Sequence, residues 1–123
     1  MTRINCGIKV EQLTNKHLLA EHREIKRIPN CLHKSNLENI PDKFCLGPGH
    51  VKFFYDKGLY TFKRYIELYN ECVKRNFNVT DYKNAWDVYK QRLDLFNDYI
   101  PTAEDIKIVQ QRINEKLHKF SQQ

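Results

Sequence analysis

The chain has 123 residues and a net charge of +6, which suits one domain with one modest core. It contains no apolar run of about 18 residues, so no helix is expected to cross a membrane. Its first turns mix charge with apolar side chains (Arg3, Lys9, Glu11, Lys16, Glu21, Arg23) where a secretory signal would be apolar, so the expected location is the cytoplasm.

Charge distribution says more than its total. Residues 1–35 hold seven Lys/Arg against three Asp/Glu, residues 36–80 seven against five, and residues 81–123 seven against seven. The basic excess gathers toward the N-terminus, which suits a polyanionic partner met by that half. A basic surface with no partner is the alternative. The four cysteines, Cys6, Cys31, Cys45 and Cys72, form no CxxC pair and read as free thiols, mostly filling core. A zinc site from Cys31, His33 and Cys45 would match no common spacing, so no metal is expected.

Apolar spacing predicts helices almost throughout. The first spans about residues 10–28. Leu13, His17, Ala20 and Glu24 share one of its faces, and Leu18, Ile25 and Ile28 supply an apolar stripe beside it. Pro29 should end or kink it by removing an N–H and crowding the preceding turn. Residues 30–57 read as irregular, broken by Pro41, Gly47, Pro48 and Gly49, with Val51–Tyr55 as a buried loop. A second helix is predicted over 58–76, its core stripe Leu59, Phe62, Ile66, Tyr69 and Val73 and its stop Asn76. A shorter helix near 81–95 carries Trp86, Tyr89 and Leu93. The last helix begins after Ile100-Pro101 with Thr102 as N-cap and Asp105 completing a near capping box. Its stripe is Ile106, Val109, Ile113, Leu117 and Phe120. The expected fold is all-α: a compact single-domain bundle of three main helices, a short extra helix and long irregular connections.

Three constellations could carry chemistry. Thr2 is small enough for the initiator methionine to be removed, leaving an α-amine. Such an amine has a pKa of about 7.7–8.0 against about 10.4 for lysine, so part of it is nucleophilic near neutrality and can form an imine with a sugar aldehyde. Many chains begin Met-Thr, so Thr2 is a weak signal alone. Glu24 stands among Arg23 and Arg27, which are four apart and suited to gripping phosphates. A carboxylate on a phosphate-binding surface opposes affinity, which points to a chemical role. An ordinary solvated face is the competing reading. Arg112 and Lys116 repeat the four-residue spacing on the last helix. The aromatic run Phe53-Phe54-Tyr55 could stack bases but reads better as core.

Taken in order, these pieces resemble the bacteriophage UV-repair endonuclease V family of pyrimidine dimer DNA glycosylases and abasic-site lyases. Met1-Thr2-Arg3-Ile4-Asn5 resembles its start, followed by His17-Leu18-Leu19-Ala20-Glu21-His22-Arg23-Glu24. The strongest similarity is Leu46-Gly47-Pro48-Gly49-His50-Val51-Lys52-Phe53-Phe54-Tyr55-Asp56-Lys57. Further similar stretches are Lys63-Arg64, Ile66-Glu67-Leu68, Glu71–Asn78, Asp98-Tyr99-Ile100-Pro101 and Gln111–Lys116.

The resemblance implies an enzyme that excises UV-induced pyrimidine dimers from double-stranded DNA. It would use the Thr2 amine as nucleophile and Glu24 to stabilise the cationic sugar and move protons, with β-elimination cutting the strand. It implies that Arg3, Arg23, Arg27, Arg112 and Lys116 hold phosphates, that His17 and His50 lie near the site, and that no cofactor is needed. A viral source and a monomer are the accompanying expectations. The chain departs from the family at residues 27–45 and in ending Lys119-Phe120-Ser121-Gln122-Gln123, with one aromatic where the prototype's tail has many. A different modified base, or a non-catalytic DNA-binding helical module, therefore stay as alternatives.

Overall fold

The computed structural model describes residues 3–32 and 37–121. Among them the fold is all-α, with no strand and one isolated bridge between Lys57 and Phe96. The helices are α1 (Asn15–Glu24), α2 (Arg27–Asn30), α3 (His50–Phe53), α4 (Gly58–Lys74) and α5 (Ala103–Ser121), joined by 3-10 turns at Val10–Gln12, Gly47–Gly49, Lys83–Gln91 and Leu93–Leu95.

The expected helix over 10–28 is three pieces. Leu13 and Thr14 are extended after the first 3-10 turn, and Thr14 then caps α1 by accepting the His17 N–H. Proline sets the second break. Pro29 has no N–H to offer the Ile25 carbonyl four residues back, and that carbonyl takes the Ile28 N–H at 3.1 Å instead. The regular ladder is thus lost at Ile25-Lys26, one turn before the proline. Pro29 itself sits buried inside α2.

The segment 30–57 is less irregular than its prolines and glycines suggest, since it holds α3. Phe53, Phe54 and Tyr55 are core, as expected, and Phe44, Phe53, Phe54 and Tyr99 meet edge to face. The element near 81–95 is 3-10 rather than α; Trp86 and Tyr89 are buried, but Leu93 is 72% exposed and Leu95 takes the core position.

Helix α4 ends where expected. Asn76 adopts φ 65°, the Phe77 N–H reaches the Cys72 carbonyl and the Asn76 N–H reaches the Val73 carbonyl, the two bonds of a Schellman cap. Its buried face is not the expected one. Thr61, Arg64, Tyr65, Leu68 and Cys72 face the core, while Phe62, Ile66 and Tyr69 are half-buried and Val73 is 52% exposed. The true stripe lies one residue, about 100°, round from the apolar one. Polar side chains can occupy it because each has a partner: Trp86 Nε1–H donates to Thr61 Oγ1 at 3.0 Å, and Arg64 pairs with Glu21 of α1.

The N-terminal segment runs through the core. Ile4, Cys6 and Ile8 are buried, and so is Asn5. Burial pushes the Cys6 thiol up to about 12, so it stays protonated, as a core filler should. The four cysteines are thiols outside any disulfide, Cys6 and Cys72 buried and Cys31 and Cys45 partly so. At α5 the capping box forms as expected: Asp105 N–H donates to Thr102 Oγ1 and Thr102 N–H to Asp105 Oδ2, both at 3.1 Å.

Candidate active site

A cleft of about 280 Å³ opens where the N-terminal segment, α1 and α5 converge. Arg3 and Asn5 come from the segment, His17, Ala20, Glu21 and Glu24 from α1, and Arg112, Ile113 and Lys116 from α5. The α1 residues are spaced three and four apart, so one helix face lines the wall. It is the His17–Ala20–Glu24 face that the spacing singled out, with Glu21 added.

The cleft floor is a buried polar network. Glu21 is 1% exposed and accepts Arg64 Nε–H at 2.7 Å, Arg64 Nη2–H at 3.1 Å and the Asn5 amide at 2.9 Å. The Asn5 carbonyl oxygen in turn accepts Arg112 Nη2–H, and Arg64 Nη1–H donates to the Ile8 carbonyl. One amide side chain thus couples a buried ion pair to a cation at the cleft wall. A charge buried this deeply is tolerable only with such partners.

The cleft is electropositive. Desolvation, then the charges of Arg3, Arg112 and Lys16, hold Lys116 below the usual lysine range; Glu24 pulls the other way. Desolvation and Arg3 lower Arg112. Desolvation, then Lys116, Arg112 and Lys16, lower His17, which favours its neutral ring. His17 also has Nδ1 2.9 Å from Thr14 Oγ1, so the capping residue of α1 orients it. Arg3, Arg112 and Lys116 converge on the cleft lining, and such a concentration of cations favours phosphate.

Glu24 is the accessible carboxylate of the cleft. Its side chain is 27% exposed and lies 3.7 Å from Arg23. Glu21 is fully engaged by Arg64 and Asn5.

Of the residues singled out in the sequence, Arg3, His17, Glu24, Arg112 and Lys116 line this cleft. Arg23 and Arg27 do not: both are exposed, and the helical ladder breaks between them, so their four-residue spacing no longer fixes a common face. His50 is not in the cleft either. It is 2% exposed, packed edge-on against Phe44 and Phe54, and hydrogen-bonded at both ring nitrogens. Thr2 and His33 lie outside the described residues. Sequence reasoning missed Asn5 and Glu21. Asn5 was visible within the family-like start, but Glu21's partner is 43 residues away, and no local pattern reveals such a pair. No cluster of three metal-ligating side chains occurs among the described residues, and no helix there is long and apolar enough to cross a membrane.

A family model described as pyrimidine dimer DNA glycosylase matches residues 1–85. The match takes in the N-terminal segment, α1 and α4 and stops short of α5; the fold itself brings Arg112 and Lys116 to the matched residues. The matched residues contribute Arg3, Asn5, His17, Glu21 and Glu24 to the cleft, and the chain belongs to the pyrimidine dimer DNA glycosylase family.

Proposed function

We propose that the chain excises UV-induced pyrimidine dimers from duplex DNA and then cuts at the abasic site, with the Thr2 α-amine as nucleophile and Glu24 as its partner. The amine attacks C1′ of the damaged nucleotide, and the glycosidic bond breaks as the base leaves. Opening of the sugar ring breaks C1′–O4′, places a proton on O4′ and leaves a protonated imine. That imine acidifies C2′; loss of its proton expels the 3′ phosphate oxygen, and water then releases the enzyme. Glu24 would offset the positive charge that develops on the sugar and carry these protons. Imine chemistry needs neither metal nor cofactor. The reading takes the chain as one domain acting as a monomer.

The observation that carries this reading is the accessible Glu24 carboxylate in an electropositive cleft lined by Arg3, the residue bonded to Thr2. Desolvation, and after it the cationic field, lowers Lys116 and His17, and both act in the same direction on any amine entering the cleft. An α-amine already starts at about 7.7–8.0, so a further reduction raises its nucleophilic fraction at neutral pH. Arg3, Arg112 and Lys116 are the phosphate contacts of this proposal, with Arg23 and Arg27 gripping the backbone outside the cleft.

Borohydride trapping on a duplex with an abasic site tests the reading. The expected product is a covalent adduct on Thr2. No adduct, with a mature N-terminus at Thr2 verified by mass spectrometry, rejects the amine chemistry and favours a binding module. Glu24→Gln should lower turnover by about 10²–10⁴-fold while abasic DNA still binds. Equal loss of binding and turnover would make Glu24 structural. Irradiated duplexes against other modified duplexes then identify the base released.

A further inference from the structure

His50 makes two hydrogen bonds from the core. Its Nδ1 lies 2.9 Å from the Cys45 carbonyl oxygen, which only accepts, so Nδ1 carries the proton. Its Nε2 lies 2.8 Å from the Ile4 N–H, which only donates, so Nε2 must be the bare acceptor. Both contacts together require one species: the neutral ring with the proton on Nδ1. Phe44 and Phe54 clamp the ring edge to face at 5.4 Å each. The Ile4 amide is thereby tied to a rigid aromatic block, one residue from Arg3 in the cleft wall.

We infer that His50 is a positioning residue for the N-terminal amine, fixing the backbone at Ile4 so that the residues before it are delivered to the cleft. The inference rests on the amine reading proposed above. Three features join in it: the forced tautomer, the long-range bond to a main-chain N–H next to the reacting terminus, and the absence of His50 from the cleft itself. A catalytic acid or base would need to reach the substrate; His50 is 2% exposed and acts through the chain. The charges facing it are Arg3 from the N-terminal segment, Glu21 from α1 and Arg112 from α5. Burial outweighs its bond to Cys45 and keeps the ring below its ordinary pKa. Its acceptor nitrogen is therefore available at neutral pH. Protonation would turn Nε2 into a donor facing a donor and release Ile4.

Two amide substitutions separate this role from mere packing. In His50→Gln the amide oxygen reaches the place of Nε2 and can still accept from Ile4. In His50→Asn the shorter side chain can reach Cys45 but not Ile4. Trapping rate at saturating abasic DNA should fall by about 10²-fold in His50→Asn, the cost of roughly 1 Å of misplacement at a reacting centre. His50→Gln should stay within a few-fold of the unsubstituted chain, with half-saturating DNA concentration unchanged in both. Equal rates in folded His50→Asn and the unsubstituted chain would overturn the inference while leaving the amine chemistry standing. Absence of any adduct in the unsubstituted chain would overturn both. One readout needs no variant: ring ¹⁵N shifts of the native protein should report Nδ1–H with Nε2 as acceptor, and an Nε2–H tautomer would overturn the inference whatever the variants do.

Discussion

Glu21 is accommodated in the interior because Arg64 grips both of its oxygens and Asn5 takes up further accepting capacity. The same association holds the Arg64 guanidinium above its ordinary range, against the desolvation that opposes it. Removing one partner of a buried pair strands the other. Arg64→Met should therefore destabilise the fold by about 3–5 kcal/mol, and adding Glu21→Gln should recover part of the loss, because a neutral amide costs less to bury than a lone carboxylate. Urea titration of both variants checks this; a double variant no more stable than Arg64→Met would mean that the lost contact to the Ile8 carbonyl dominates. Arg3, Glu24, Arg112 and Lys116 were legible because each sits in a recognisable stretch or spacing. Glu21 sits in the same stretch as Glu24, yet nothing local says that one carboxylate is buried and committed while the other is open. That distinction is made by Arg64, across the fold.

The long helices α4 and α5 were legible in type and less so in orientation, whereas α3 and the 3-10 character of Lys83–Gln91 were not legible. The periodicity of α4 gives its length and its stop to within a residue or two, but a hydrophobic stripe identifies the core face only when buried polar groups are absent. Thr61, Arg64 and Glu71 lie on the core side because Trp86, Glu21 and Arg75 satisfy them, so the apolar stripe points about 100° off. The packing of the N-terminal segment on α5 was not legible at all, and it turns on a glycine. Gly7 has φ 79°, and a Cβ there would lie 2.3 Å from Ile106 Cγ1 of α5. Gly47 has the same φ of 79° with nothing within 4 Å of its would-be Cβ. The pair separates backbone strain from packing. Gly47→Ala should cost only strain, about 1 kcal/mol. Gly7→Ala should cost an additional overpacking penalty of about 1–3 kcal/mol. It should also weaken abasic-DNA binding, because displacing Ile106 moves the helix that carries Arg112 and Lys116. Paired melts and binding titrations decide it, and equal costs at the two glycines would show that the segment does not bear on α5 as tightly as described.

Across the whole molecule, His17, His22 and His50 are all held below the ordinary histidine pKa of about 6.5, and together they set a pH limit on the fold. Burial is the largest cause for each, with cations adding to it: Lys116 and Arg112 at His17, Lys26 at His22, Arg112 and Arg3 at His50. Below about pH 6.5 the unfolded chain binds protons at these rings that the folded chain refuses. Stability therefore rises with pH through that region, is fully present above about 6.5, and is lost progressively as pH falls toward the lowered folded values. The lowered carboxyls of Asp81, Asp98 and Asp105 add their own loss only in stronger acid. His22 isolates the effect outside the candidate site. It is 2% exposed, lies among the rings of Tyr65, Tyr69 and Tyr82 at 5.3–6.1 Å, and its Nε2 has no hydrogen-bond partner among the described residues. Replacing an unsatisfied buried polar atom by an apolar one of similar shape is neutral or stabilising. His22→Phe should thus leave the melting temperature at pH 7.5 unchanged or higher and flatten its decline between pH 7 and 5, while abasic-DNA trapping at pH 7.5 persists. A decline as steep as that of the unsubstituted chain would place the acid sensitivity outside His22, with His17 and His50 the candidates among the described histidines, at the cleft and the N-terminal anchor.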